Sequence, residues 1–343
     1  MTTTLIPTTS VTRWGLPSIP ETVAAARRAV STWHRPLTWF AGMMVLWGIV
    51  CAVGLIIDPR TIAGEQVWAK PFKFTISLSL YAVTLAWMLS LVRGPKLHLA
   101  GWWAGTIGAA ASLIEIVVIS TQVIRGTSSH FNISTPLDAR LYAIMGSGAV
   151  IMYCATLVIG AALAFFTALP DRPLTWALRC GLIIGMAGLS VGFLMVMPTT
   201  QQLAQGVPQT FGSHSVGGDD TTGGLFFLGW NTEHGDLRIA HFVGMHALQI
   251  LPLLALLLLG TITRGRLREK DRICVVLLGA ASWGSITVLV LWQALRGQSL
   301  IHPDALTWTS TAALLGIGIA AAATVFDSAR RHLKPTHQSL GVR

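Results

Sequence analysis

Eight long apolar runs constrain the fold of this chain more than any other feature of its sequence. A helix needs about 20 apolar residues to cross a bilayer, and each run is long enough. The runs cover residues 37–57, 72–92, 99–124, 139–168, 174–197, 237–260, 272–295 and 305–326. Because lipid offers no hydrogen-bond partner, each run must satisfy its backbone internally as a helix. The sequence therefore predicts an all-α integral membrane protein with eight transmembrane helices.

Composition agrees with this class and excludes others. Only 11% of the residues are charged and 52% are hydrophobic, whereas soluble domains carry about 25% charged residues. The net charge of +10 does not indicate a nucleic-acid partner, because the basic residues occupy short turns between apolar runs instead of one patch. The four cysteines lie inside apolar runs without metal-type spacing, so we interpret them as small buried hydrophobes. The expected partner is the lipid bilayer.

The distribution of Lys and Arg predicts the orientation. Sixteen of the 24 basic residues fall on one side of the predicted spans and seven on the other. The positive-inside rule then places both termini in the cytoplasm. It makes 1–36 and 327–343 cytoplasmic segments and puts the loop 198–236 outside. Residues Pro20–Arg35 are predicted either as a basic helix on the membrane surface or as a disordered tail.

Two similar segments lie half a chain apart. Gln122-Val-Ile-Arg125-Gly126 ends the third run and Gln293-Ala-Leu-Arg296-Gly297 ends the seventh, and both are followed by Ser and His. This offset of 171 residues predicts a tandem duplication of a four-helix unit, with halves 37–168 and 174–326 in parallel orientation. Coincidence is the alternative interpretation of so few matched residues.

Glycines spaced four residues apart occur in two of the runs. They are Gly101–Gly105 in the third run, and Gly181–Gly185 and Gly188–Gly192 in the fifth. Small residues at this spacing let helix backbones approach closely. The pattern predicts that these two helices lie inside the bundle.

Glu115 is the most unusual residue of the apolar runs. It lies roughly 14 Å from the outer end of the third run, at 1.5 Å per residue. Intramembrane carboxylates are rare, and they mark a binding site, a proton path or a buried ion pair. The alternative is a protonated carboxyl that is hydrogen-bonded to Ser112 or to nearby backbone.

The sixth run carries His241, His246 and Gln249 into its apolar part. A spacing of five turns the two histidines about 140° apart on a helix, so they cannot chelate one ion as a pair. With His130 they are the predicted metal ligands, either of zinc or of haem b held by His130 and His246. The alternative is that each histidine caps a helix end or pairs with a nearby carboxylate.

The other candidate residues surround these histidines on the predicted outer side. Asp236 and Glu115 are expected to move protons or to orient histidines. Arg125 and Arg238 are expected to hold an anionic group. The remaining predicted substrate-binding residues are polar and lie at the ends of runs; they are Asn132, Gln249, Gln293 and Arg296.

Three segments together resemble a widespread, functionally unassigned family of bacterial multi-span inner-membrane proteins. They are KPFKF at 70–74, RGTSSHFN at 125–132 and GDLRIAHFVGMHALQ at 235–249. The resemblance implies a location in the bacterial cytoplasmic membrane. It brings no catalytic residues with it.

Two functions remain open at this point. The first is a metal- or haem-dependent membrane enzyme that acts on a small or lipid-soluble substrate near the extracytoplasmic face. The alternative is a proton-coupled transporter in which Glu115 carries the proton. A sensor or structural subunit is a third reading, which the absence of any sizeable predicted cytoplasmic domain disfavours.

Overall fold

The computed structural model describes residues 30–204, 208–220, 224–259 and 267–333. Within these residues, eight helices are long and apolar enough to cross a membrane. The predicted all-α, multi-span architecture is therefore confirmed. Most of the Pro20–Arg35 segment and the end of the C-terminal tail lie outside the described residues, so the two interpretations of that segment stay predictions.

The first five spans are single helices, and the sixth is divided in two. In chain order the helices are α1 Arg35–Ile57, α2 Ala69–Leu91, α3 Pro95–Arg125, α4 Pro136–Ala164, α5 Arg172–Met195, the short α6 Thr200–Ala204, α7 Leu237–Met245, α8 Ala247–Leu259, α9 Glu269–Leu295 and α10 Ala305–Leu333. Helices α7 and α8 together form the sixth span. Two hairpins pair β1 Thr61–Ile62 with β2 Glu65–Gln66, and β3 Ser215–Val216 with β4 Gly235–Asp236.

Local sequence determines where several spans begin. Four of them, α1, α3, α4 and α5, have proline in the first turn, where a missing N–H breaks no helical hydrogen bond. Thr135 and Asp171 cap α4 and α5 by accepting a hydrogen bond from the backbone N–H three residues later. These signals explain why the observed starts precede the predicted ones by two to four residues.

The helices pack into two consecutive groups. Helix α1 packs mainly on α2 and α3 mainly on α4, whereas α5 packs on α7 and α8, and α9 packs on α5 and α7. The main contact between the groups joins α4 to α5, where Gly160 lies against the Leu182 side chain. Helix α10 packs mainly against α9. This arrangement is compatible with two four-helix halves, and the duplication itself stays a prediction.

Glycines bring α5 into backbone contact with the sixth span. A Cβ atom added to Gly188 would lie 2.5 Å from the Gly244 Cα, and one added to Gly181 would lie 2.9 Å from the Ala247 carbonyl oxygen. No other residue fits this crossing unless the helices separate. The close approach predicted from the glycine spacing in the fifth run is thus present in the structure.

The longer connections share one end of the bundle, which we call the loop end. It holds residues 58–68, the segment between α3 and α4, the loop from α5 to α7, and the turn between α9 and α10. Among the described residues, α1 begins and α10 ends at the opposite end. Which end faces the cytoplasm stays a prediction from the charge distribution.

Candidate functional site

Glu115 lies on the buried face of α3, ten residues before the helix ends. Only 4% of the residue is exposed. Its Oε1 atom is 3.7 Å from the Nε2 atom of His130, and its Oε2 atom is buried with no hydrogen-bond partner among the described residues. Gly148 of α4 faces this second oxygen, since an added Cβ atom would lie 3.7 Å from it. A buried polar atom without a partner is costly, so this oxygen marks a place for a proton, a water molecule or a ligand.

His130 reaches Glu115 because the segment after α3 turns back toward the bundle. Gly126 ends the helix in the left-handed region, at φ 68°. Phe131 also has a positive φ of 63°, and its carbonyl accepts a hydrogen bond of 2.8 Å from the Phe211 N–H. A bulky residue holds such a conformation only where its surroundings impose it. The backbone is thus set to direct the His130 ring inward.

The His130 ring has neighbours on several sides. Its centroid is 5.6 Å from that of Phe74, and its Nδ1 atom is 3.1 Å from the Ser129 hydroxyl. The pKa of His130 is held well below its usual range, first by burial and then by the positive field of Lys70 and His214. The imidazole is therefore neutral at pH 7, and it can accept or pass on a proton.

Lys70 brings a positive charge to the same place from the first turn of α2. Its ammonium interacts electrostatically with Glu115, Arg238 and Glu65. It makes no hydrogen bond to the part of the chain that the structure describes. The neighbouring Lys73, in contrast, is occupied, because its Nζ atom donates to Glu65 Oε2 at 3.1 Å and to the Leu228 carbonyl at 3.0 Å.

Tyr142 adds a second buried atom without a partner to this region. Its hydroxyl on α4 is buried and makes no hydrogen bond to the described residues, and its ring centroid is 6.0 Å from that of Phe131. The sequence offered no signal for Tyr142, because a tyrosine in an apolar run is ordinary.

We call Lys70, Glu115, His130 and Tyr142 the Glu115 cluster. It combines a carboxyl and an imidazole 3.7 Å apart, an ammonium that interacts electrostatically with both, and a phenol linked to the imidazole through the Phe131 ring. The structure assembles it from α2, α3, α4 and the turn after α3.

Arg125 and Asn132 are held by their own segment. Arg125 donates to Asp138 Oδ1 at 2.5 Å and to Gln122 Oε1 at 2.5 Å. Asn132 donates to the Thr127 hydroxyl at 3.0 Å. These contacts shape the turn that carries His130. The two residues therefore position the site, and their predicted role in binding substrate is not visible in their contacts.

Asp236 and Arg238 form a second polar centre at the start of α7. Asp236 is 1% exposed and accepts hydrogen bonds from the Asn231 N–H, the Arg238 N–H and the Arg238 guanidinium. Arg238 also donates to the Gly229 carbonyl at 2.5 Å. Asp236 thus caps α7 and fixes the preceding loop. Its predicted catalytic role finds no support in these contacts.

The three histidines of the predicted metal site are not grouped by the fold. His241 Nδ1 is 2.9 Å from the Gly188 carbonyl oxygen, and its electrostatic partner is His246, whereas the electrostatic partners of His130 are Lys70 and His214. Among the described residues, no three His, Cys, Asp or Glu side chains are placed to hold a metal ion. The described residues therefore do not form the group of three ligands that a zinc site needs, and haem b held by His130 and His246 stays a prediction. Gln249 is positioned for hydrogen bonds from its side-chain amide to the Met245 and His246 carbonyls.

Gln293 and Arg296 shape the turn between α9 and α10. Gln293 donates to the Ser299 carbonyl at 2.7 Å, and Arg296 donates to Asp304 Oδ2 at 2.5 Å. Both side chains are used in the turn, as Gln122 and Arg125 are in theirs.

Comparison of the chain with protein-family models, with curated proteins and with solved structures finds no match. The resemblance to a bacterial inner-membrane family therefore stays a prediction from the three sequence segments.

Proposed function

We propose that this protein is a proton-coupled membrane carrier and that Glu115 and His130 carry the coupling proton. The observation that supports this most is the buried Glu115 Oε2 atom, which has no partner among the described residues. An ionisable residue inside a membrane span is expensive and is retained for a function. Here the second oxygen is open to a proton or substrate while the first faces an imidazole.

The cluster offers a path for the proton between the bundle and the loop end. Glu115 is almost fully buried, and the His130 side chain is 29% exposed. Because His130 is neutral at pH 7, it can take a proton from the surface. A bridging water or a small rotation of its ring would then pass the proton to Glu115, whose Oε1 atom is 3.7 Å away. Lys70 stabilises the carboxylate form of Glu115 after the proton has left. The phenol of Tyr142 is available to bind a polar substrate group.

The carrier explains the geometry better than the metal- or haem-dependent enzyme does. A zinc enzyme would need three ligands on one ion, and among the described residues no three His, Cys, Asp or Glu side chains are so placed, while His241 contacts the Gly188 carbonyl. The carrier requires one carboxyl with a neighbouring base, which the cluster supplies.

In this proposal the protein resides in the cytoplasmic membrane of a bacterium with both termini inside, so the loop end is extracytoplasmic. The two four-helix halves are tandem repeats, and the substrate is small or lipid-soluble. The support comes from the charge distribution, the resemblance and the two similar turns.

The first experiment asks whether Glu115 exchanges a proton. Infrared difference spectra of purified protein would be recorded between about pH 5 and about pH 8, the range in which a carboxyl coupled to a histidine would exchange its proton. We expect a protonated-carboxyl band that disappears in Glu115→Gln and persists in Glu65→Gln, a matched control at a more exposed, ion-paired carboxylate. A spectrum unchanged by Glu115→Gln would contradict the proposal.

The second experiment tests transport. Proteoliposomes containing a pH-sensitive dye would be challenged with gradients of amino acids, carboxylates, amines and sugars. At least one class is expected to move protons with the wild type and with Glu65→Gln, but not with Glu115→Gln. Absorption spectra and elemental analysis of the same samples test the enzyme alternative. A haem band or stoichiometric metal that is lost in a His241→Ala, His246→Ala double variant would favour it.

A further inference from the structure

A short hydrophobic hairpin projects from the loop that precedes α7. It covers Gly224–Asn231, with the sequence GLFFLGWN, and contains no charged residue. We call it the Phe226 tip. Its large side chains are unusually open: Phe226 is 98% exposed, Phe227 45% and Leu228 40%. Exposed apolar groups of this kind outside the spans mark a surface that contacts something apolar.

The Phe226 tip is built to present these side chains. The Leu225 N–H donates to the Trp230 carbonyl at 2.9 Å, and the Gly229 N–H donates to the Leu225 carbonyl at 2.8 Å. Gly224 and Asn231 are bridged at the base. Phe227 adopts a positive φ of 66°, which a bulky residue accepts only when its surroundings require it. The apolar end is thus preformed.

Three contacts fix the height of the tip along the bundle. The Phe227 ring centroid is 6.0 Å from that of Phe72, in the first turn of α2. Lys73, one residue further, donates to the Leu228 carbonyl, and Arg238 in the first turn of α7 donates to the Gly229 carbonyl. The tip therefore lies at the level where two spans enter the membrane, beside the boundary between headgroups and acyl chains.

The end of helix α1, at the loop end of the bundle, is also apolar and exposed. Ile56 and Ile57 end α1, the helix packed against α2, and they are 85% and 72% exposed. Side chains this open at the end of a span face lipid. The tip lies at the same end of the bundle, at the depth where aromatic residues anchor membrane proteins.

We infer that the Phe226 tip inserts into the membrane leaflet at the loop end and binds lipid acyl chains. The insertion holds the loop from α5 to α7 against the bilayer. Because Lys73 and Arg238 hold the backbone of the tip, it also ties this loop to the first turns of α2 and α7, close to the Glu115 cluster. The inference does not depend on the proposed carrier function.

The test uses the full chain in nanodiscs of phosphatidylcholine and phosphatidylglycerol. Phe226→Cys would be labelled with an environment-sensitive nitrobenzoxadiazole dye, in a background in which the four native cysteines are replaced. Phe226 is almost fully exposed, so its replacement should not disturb folding. The matched control is Gln201→Cys, an exposed polar position on α6 of the same loop.

We expect blue-shifted emission at position 226 and at least about twofold stronger quenching by lipids spin-labelled high on the acyl chain than at position 201. Aqueous iodide should quench position 226 less than position 201. Equal behaviour at the two positions would overturn the inference. Protection from iodide without quenching by lipid would also overturn it, because the tip would then be covered by protein.

Discussion

The two turns that carry QxxRG have the same local structure. In the first, the Gln122 amide donates to the carbonyl of residue 128, and in the second the Gln293 amide donates to that of residue 299, both six residues further on. The glycines that follow have φ angles of 68° and 71°. In each turn the arginine pairs with an aspartate at the start of the next helix.

The turns differ in burial and in what surrounds them. Asp138 in the first ion pair is 3% exposed, whereas Asp304 in the second is 40% exposed. The first turn directs His130 onto Glu115. The position 171 residues after Glu115 is Ile286, and the histidine of the second turn, His302, contacts the Thr232 carbonyl instead, so the second turn has no equivalent pair.

This difference distinguishes residues that stabilise a turn from residues that are candidates for function. A motif that is present in both turns with the same hydrogen bonds serves to stabilise the turn. The pair of Glu115 and His130, which has no equivalent at the second turn, is the better candidate for function. Arg125, Gln293 and Arg296 therefore stabilise turns in our interpretation, and the proposed site is confined to the first half.

The ion pairs provide the largest expected contrast. Asp138→Asn should destabilise the protein by roughly 2–4 kcal/mol, because it leaves Arg125 without its buried partner. Asp304→Asn should have a much smaller effect, since an exposed pair contributes little. Thermal unfolding in detergent, followed by tryptophan fluorescence, measures both. Equal losses would show that burial does not distinguish the two turns.

The glycines should differ in the opposite direction. Alanine at either position is strained by about 1–2 kcal/mol, because left-handed backbone is unfavourable for residues with a Cβ atom. Gly126 has open space around it, whereas a Cβ atom at Gly297 would lie 3.3 Å from the Val216 carbonyl oxygen. Gly297→Ala should therefore lower the melting temperature more than Gly126→Ala. The reverse order would contradict the packing at the second turn.

The pH dependence of stability should show a smaller effect, which depends on the histidine of the first turn. The folded protein resists protonation of His130, whose pKa lies below the usual 6.5. Below that value the unfolded chain binds a proton that the folded protein does not, so stability falls as the pH drops, by at most about 1.4 kcal/mol per pH unit. His130→Gln should reduce this slope, measured as melting temperature against pH. Gln201→Ala, which removes no titrating group, should keep the wild-type slope.

The spans could be predicted from sequence because lipid imposes one requirement on length and polarity. The starts moved by a few residues because Pro95 and Pro136 extend helices into polar sequence. Glu115 could be selected because a carboxyl in an apolar run is rare. Its partner could not, because the return of His130 depends on two left-handed residues and on pairing with the distant Phe211 backbone. Periodicity contains no information about such a path.

The histidines of the sixth span show a second kind of contact that the sequence does not predict. His241 and His246 are polar groups in an apolar helix, as Glu115 is, and composition does not distinguish them. The structure shows His241 satisfied by the Gly188 carbonyl, which becomes accessible only because helices α5 and α7 approach at glycines. The identity of a partner on another helix is a property of packing, so it cannot be obtained from spacing along one chain.

The glycine crossing between α5 and the sixth span has a mechanical consequence. Backbones in direct contact, with Gly188 against Gly244, cannot slide without collision, so α5, α7 and α9 should move as one stiff body. The junction of α4 with α5 is made by side chains instead, with Leu182 against Gly160 and the Tyr153 hydroxyl 3.2 Å from the Ser190 hydroxyl. Contacts between side chains can rearrange more easily than contacts between backbones. If the two groups of helices move relative to each other, the movement should therefore occur at the contact between α4 and α5. The Glu115 cluster would move with helices α1 to α4. The Phe226 tip, which is held by Lys73 of α2 and Arg238 of α7, would connect the two groups of helices.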